Sequence, residues 1–95
     1  MLYTQTGTPY YASPEVWKDQ PYNSKSDIWS LGCVLYETVS LHPPFLASNM
    51  KGLYEKVTSG KYMEPPNRYS NELRLVINTM LQLNPKLRPS CGNCL

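Results

Sequence analysis

The sequence predicts an all-α fold, and three observations support this prediction. Three segments rich in apolar residues, at 28–36, 50–57 and 73–81, are each long enough for a helix. No run alternates apolar and polar residues for long enough to indicate a strand. All nine prolines lie outside these segments, as expected for loops and helix boundaries. With 95 residues, the chain is long enough for one small domain at most.

The residues before 24 predict a loop followed by a short helix. Met1 to Pro9 is rich in threonine and shows no periodicity, which is typical of a loop. Ser13 is a suitable helix cap, Pro14 favours the first helical position and Glu15 favours the first turn. The turn-forming residues at 19–23 limit this helix to a few residues.

The stretch from Ser24 to Val39, SKSDIWSLGCVLYETV, is the predicted centre of the fold. Apolar residues lie on every side of this helix, which is the pattern of a buried helix. Ser24 and Ser26 are both suitable caps, and Ser24 with Asp27 matches the reciprocal capping pattern. The segment is too short and too polar to cross a bilayer. We therefore expect the other elements to pack around it.

Two amphipathic helices are predicted after the central helix. The first begins near Ser48 and ends at Gly60, and the second begins near Ser70 and ends before Asn84-Pro85. A further helix could begin in 90–95, so we expect the chain to be part of a larger domain. The predicted apolar faces are Met50, Leu53, Tyr54 and Val57 in the first helix, and Leu73, Val76, Ile77, Met80 and Leu81 in the second.

Composition and charge argue against several classes of protein. The net charge is only +2 and the nine Lys and Arg residues are scattered, so we expect no nucleic-acid partner. No basic segment followed by an apolar one opens the chain, and we expect neither a signal peptide nor a membrane partner. An odd count of three cysteines without a secretory signal indicates reduced thiols in the cytosol or nucleus, and we expect a cytoplasmic protein.

The pair Cys91 and Cys94 has the spacing of some zinc and redox motifs. A structural zinc site needs four ligands, and only Cys33 and His42 could complete it. Redox pairs of this kind accompany a βαβ pattern, which the sequence lacks. His42 has no paired nucleophile for general-base work. We therefore predict no metal site, and a metal or redox protein is the weakest alternative.

Four motifs carry a resemblance to a known family. The stretches GTPYYASPE (7–15), SDIWSLGCVLYE (26–37), HPPF (42–45) and LNPKLRPS (83–90) resemble the C-lobe of eukaryotic protein kinases, in the same order and spacing. The first two most resemble the NIMA-related (NEK) serine/threonine kinases. The resemblance covers residues 1–95. It implies a partial protein-kinase-like C-lobe, with the end of the activation segment and the family's helices αEF, αF, αG, αH and the start of αI.

The resemblance implies roles for the residues near the N-terminus. Thr4 matches the position whose phosphorylation activates many such kinases, because a phosphate there orders the loop by pairing with arginine. Thr8 matches the threonine that hydrogen-bonds the catalytic aspartate and lysine in Ser/Thr kinases. The substrate-binding P+1 loop of the family corresponds to Gly7, Thr8, Pro9, Tyr10 and Tyr11.

The resemblance also implies four structural anchors. Ser13-Pro14-Glu15 matches the Ala-Pro-Glu motif, and Glu15 is expected to pair with Arg88. Asp27 is expected to bind the backbone of the catalytic loop, and Trp29 belongs to the same motif of the central helix.

Several parts of the family pattern are missing from these 95 residues. The sequence contains no Gly-rich loop, strand lysine, His-Arg-Asp or Asp-Phe-Gly motif. The resemblance implies a parent Ser/Thr kinase that uses ATP and Mg, whereas this segment is predicted to bind neither and to be inactive alone. The alternative is a non-catalytic kinase remnant that binds a partner protein. Family analogy also suggests an association with the cytoskeleton or cilia.

Overall fold

The computed structural model describes residues 9–65 and 70–90, and the prediction of an all-α fold is confirmed. The described part of the chain contains no strand, and none of its helices is long and apolar enough to cross a membrane. The further helix expected at 90–95 lies outside the described residues, apart from Ser90. The helices are α1 (Pro14–Trp17), α2 (Ser24–Ser40), α3 (Met50–Ser59), α4 (Asn71–Met80) and a 3₁₀ helix (Pro85–Leu87).

The cap of α2 differs from the prediction by one residue. Asn23 is the cap, and its side chain accepts hydrogen bonds from the backbone N–H groups of Lys25 and Ser26 at 2.8 and 3.3 Å. The Ser26 hydroxyl accepts in return from the Asn23 N–H at 3.3 Å, which completes a capping box. The predicted pairing of Ser24 with Asp27 is therefore wrong. Asn and Ser cap helices about equally well, so neighbouring candidates are not distinguished by residue type.

The core forms where α2 meets α3, α4 and the proline-rich loop before α3. Trp29 stacks on Phe45 with 5.5 Å between ring centroids and 8° between ring planes. The Tyr62 ring stands edge-on against both Tyr36 and Phe45. The helix is not buried all round, because Leu31 is 43% exposed. The buried core residues are Trp29, Cys33, Tyr36, Val39, Phe45, Leu53, Val57, Ile77 and Leu81.

The two amphipathic helices agree with the sequence pattern in part, because Met50, Tyr54 and Val76 of the predicted apolar faces are exposed. Gly60 ends α3 in the left-handed conformation with φ of 71°, and Ser70 caps α4 by accepting from the Leu73 N–H at 3.1 Å. The cap of α3 is Asn49, which accepts from the Gly52 N–H at 2.7 Å, and the helix starts at Met50, two residues after Ser48, near which it was expected to begin. Pro85 does not end α4 as expected, because the helix already ends at Met80.

Gly32 lies at a close approach of α2 and α4. A Cβ atom at this position would lie 2.8 Å from the Met80 Cβ and 3.2 Å from the Leu81 Cδ2. Neither distance leaves room for a methyl group, so the glycine allows the two helices to pack directly against each other.

We expect Gly32→Ala to lower the free energy of unfolding by about 1–3 kcal/mol, because the added methyl overpacks the contact with α4. Urea unfolding followed by tryptophan fluorescence measures this change. Ser24→Ala, at an exposed position in the first turn of the same helix, is the control and should change stability far less. An unchanged unfolding midpoint for Gly32→Ala would contradict the close approach.

Candidate functional site

A buried ion pair joins the start of the described chain to its end. The Glu15 carboxylate faces the Arg88 guanidinium through two hydrogen bonds, Nη1 to Oε2 at 2.6 Å and Nη2 to Oε1 at 3.0 Å. The side chains are 6% and 0% exposed. Glu15 lies in α1, and Arg88 directly follows the 3₁₀ helix. This bidentate geometry is the strong form of an Arg–carboxylate contact.

The remaining donors of Arg88 are also satisfied. Its Nε donates to the Gln82 carbonyl at 2.8 Å, Nη1 to the Lys25 carbonyl at 2.9 Å and Nη2 to the Leu83 carbonyl at 3.3 Å. The guanidinium carbon lies 5.0 Å from the Trp29 ring centroid, within cation–π range. A buried charge is tolerated when its hydrogen bonds are made, as they are here.

The charge state of Glu15 depends on two opposing effects. Burial raises the pKa of the carboxyl group, because a charge is poorly solvated inside a protein. Hydrogen bonds from Arg88 and from the Ser26 hydroxyl, which lies 2.7 Å from Oε2, favour the carboxylate. These bonds prevail and hold the pKa below its usual value. Glu15 is therefore ionised at neutral pH and the pair is charged on both sides.

The segment that leads into α1 is attached to α2 by side chains of that helix. The Tyr11 hydroxyl donates a hydrogen bond to the Glu37 carboxylate. The Ser30 hydroxyl donates to the Tyr11 carbonyl at 2.8 Å. Together with the Ser26 contact to Glu15, these bonds show that residues 11–15 run antiparallel to α2. The bond to Glu37, assisted by burial, raises the pKa of Tyr11 to about 12.

The structure describes only part of the predicted site. Thr4, Gly7 and Thr8 lie outside the described residues. Pro9, Tyr10 and Tyr11 lie within them and are half-buried, and the Ala12 N–H donates to the Pro9 carbonyl in a turn at 3.3 Å.

Two of the predicted anchors of α2 have different environments. Trp29 is fully buried, whereas Asp27 is exposed in the first turn. Sequence reasoning did not single out Ser26, Ser30 or Glu37 as contacts of the loop. Their spacing of four and seven residues, which places all three on one face of an otherwise apolar helix, was the available signal.

The described residues bring no set of metal-ligating side chains together. They contain no group of three or more His, Cys, Asp or Glu side chains that could hold a metal ion. Burial raises the pKa of the Cys33 thiol well above its usual value, so Cys33 is an unreactive core residue. Cys91 and Cys94 lie outside the described residues.

Comparison with known proteins assigns the chain to a family. The protein kinase domain model matches residues 1–95, and the chain belongs to that family. Within it, the chain is similar to NEK kinases, in agreement with the resemblance of its motifs. It is 53% identical over 87 residues to the serine/threonine-protein kinase Nek2 of Homo sapiens, and likewise to Nek8 of Danio rerio. It is 50% identical over 93 residues to the probable serine/threonine-protein kinase nek3 of Dictyostelium discoideum.

These alignments cover most of this chain but little of its relatives. They include 92% of the chain for Nek2 and Nek8 and 97% for nek3. The chain spans only 20%, 12% and 8% of the length of those three proteins, respectively.

We expect Arg88→Ala to lower the free energy of unfolding by about 3–5 kcal/mol, because it leaves the buried Glu15 carboxylate without its partner. Thermal and urea unfolding measure the loss. Lys86→Ala removes an exposed positive charge two residues away and should have little effect. Equal melting temperatures for Arg88→Ala and the wild type would count against the pair as a stabilising contact.

The ion pair also predicts how stability depends on pH. Because the pKa of Glu15 is lower in the folded chain than the ordinary value of 4.5, its contribution is complete above that pH. The contribution is lost as the pH falls through the lower, folded-state pKa. Urea midpoints between roughly pH 6 and pH 3 should therefore fall less steeply for Glu15→Gln than for the wild type. Glu55→Gln, in an exposed part of α3, controls for the lost charge; identical slopes for Glu15→Gln and the wild type would refute the linkage.

Proposed function

We propose that residues 1–95 form the substrate-binding loop and helical scaffold of a serine/threonine protein kinase. The complete protein would transfer the γ-phosphate of ATP to protein serine or threonine. The observation that supports this role is the attachment of residues 11–15 to α2 and, through Glu15, to Arg88. Phosphoryl transfer depends largely on positioning, so a loop that holds the acceptor needs a rigid support.

The proposal gives separate roles to the residues before Ala12. Pro9, Tyr10 and Tyr11, with Gly7 and Thr8, would contact the substrate residue after the phosphorylated hydroxyl. Thr8 would also support the catalytic aspartate and lysine. Phosphorylation of Thr4 would order the loop. These roles rest on kinase family membership and on the position of Tyr11 beside α2.

The nucleotide chemistry belongs to other parts of the complete protein. ATP and Mg would be bound by the motifs that these 95 residues lack, and the catalytic base would come from the same region. We therefore propose that the segment is inactive when isolated. In the complete protein, the segment would position the substrate residue that accepts the phosphate and would support the substrate-binding loop.

A non-catalytic module that binds a partner protein is the second candidate. The observation in its favour is a set of exposed apolar side chains on α3 and the loop before it. These residues are Leu46, Met50 and Tyr54. Adjacent exposed apolar side chains of this kind are a common feature of protein interfaces.

An assay on the complete polypeptide that carries this segment tests the first candidate. With ATP and Mg, the protein should phosphorylate serine and threonine, and not tyrosine, in dephosphorylated casein. Thr8→Val should lower kcat by roughly tenfold or more, because it removes a hydrogen bond to the catalytic residues. Thr79→Val, at an exposed position of α4, is the matched control.

Two results would contradict the proposal. The first is the absence of phosphate transfer by the folded complete protein, which would favour the interaction module. The second is transfer by the isolated 95-residue segment, which would require catalytic groups other than those of the family.

A further inference from the structure

The Ser30 hydroxyl has two acceptors within reach. It lies 2.8 Å from the carbonyl of Tyr11 and 3.3 Å from the carbonyl of Ser26, one turn earlier in α2. A hydroxyl carries a single proton, so it donates fully to only one of them. The shorter distance assigns the proton to Tyr11, in the segment that precedes α1.

Three threonines in the described helices show the more common choice. A serine or threonine inside a helix commonly donates to the carbonyl four residues before it. Thr38, Thr58 and Thr79 do so, at 2.9, 2.7 and 2.8 Å respectively. Ser30 is 4% exposed, and its bond to the same position of its own helix is longer than any of these. Its hydroxyl is thus directed away from the helix and toward the loop.

We infer that Ser30 is a positioning residue that fixes the backbone of the substrate-binding loop through the Tyr11 carbonyl. This inference rests on the proposed function. Glu37 binds the far end of the Tyr11 side chain, whereas Ser30 binds the main chain of the same residue. Together they fix the orientation of the Tyr11 side chain and the distance of its backbone from α2. Residues 9 and 10 immediately precede Tyr11, so the path of their backbone depends on where Tyr11 is held.

The second acceptor makes the attachment reversible. If the loop moves away from α2, the hydroxyl rotates to the Ser26 carbonyl and the buried donor keeps a partner. Release of the loop therefore avoids the penalty of an unsatisfied buried hydroxyl. Ser30 would hold the loop in position for the substrate while still allowing the loop to move. Loss of its hydroxyl should therefore affect substrate binding more than folding.

The test compares Ser30→Ala with the wild type in the complete polypeptide. One hydrogen bond corresponds to roughly a 2- to 10-fold effect. We expect KM for dephosphorylated casein to rise by that factor, with KM for ATP unchanged. Hydrogen exchange of the backbone amides at 11–13 should become faster, while the urea midpoint shifts little. Thr79→Ala, which removes an ordinary intrahelical hydroxyl contact, is the control and should change none of these quantities.

Ser30→Cys separates the hydrogen bond from packing. The thiol fills nearly the same space but is a weak donor, so this variant should behave like Ser30→Ala. Wild-type behaviour of Ser30→Cys would assign the effect to volume and overturn the inference.

Two further outcomes would also overturn it. One is unchanged casein KM and unchanged exchange in Ser30→Ala. The other is a parallel loss of stability, kcat and both KM values, which indicates a general structural role. If the wild type itself transfers no phosphate, the proposed function fails, and the exchange rates at 11–13 alone decide whether Ser30 holds the loop.

Discussion

The fold depends on one ion pair, Glu15 with Arg88, which is buried and fully hydrogen-bonded. Arg88 brings a permanent charge into the interior, where an unpaired guanidinium would be very unfavourable. Its donors reach the Glu15 carboxylate and three backbone carbonyls, and its flat face lies against Trp29. These partners come from three stretches of the chain, namely α1, α2 and the segment after α4. The position of α1, the start of α2 and the segment after α4 are therefore fixed by the requirements of a single side chain.

The central helix serves two purposes because its faces differ. One side carries Trp29 and Tyr36, which pack against the aromatic residues of the loops. Another side carries Ser26, Ser30 and Glu37, whose polar groups bind the segment leading into α1. Because its aromatic face is buried, the helix is held in a fixed position. The polar face can therefore support the segment leading into α1. The same helix thus connects the stability of the core to the placement of the loop.

The sequence predicted the helical elements well because their signals are local. Ser70 caps α4 and Gly60 ends α3, since capping and left-handed turns depend on a few adjacent residues. The cap of α2 was misplaced by one residue because Asn23 and Ser24 are both good caps. The structure pairs Asn23 with Ser26, whose hydroxyl also binds Glu15, and sequence spacing does not reveal that contact.

The candidate site was less predictable than the helices. The pairing of Glu15 with Arg88 came from family resemblance, because two charges so far apart carry no local signal. The contacts of Ser30 and Glu37 with Tyr11 were missed, since a serine in an apolar helix is equally compatible with an ordinary bond to its own backbone. The end of α4 at Met80 was also missed, since no residue there forbids another helical turn.

The separation of the two ion-pair partners along the chain has a consequence for biosynthesis. Glu15 and Arg88 are 73 residues apart, so a ribosome adds nearly all of this segment between one and the other. At 5–20 residues per second, the carboxylate waits several seconds or more for its partner. During that interval Glu15 in α1 lacks its Arg88 partner. A contact between residues so far apart in sequence also forms late in folding. The loop ahead of α1 thus reaches its final position only after the region around Arg88 has been made, which couples its maturation to the completion of the scaffold.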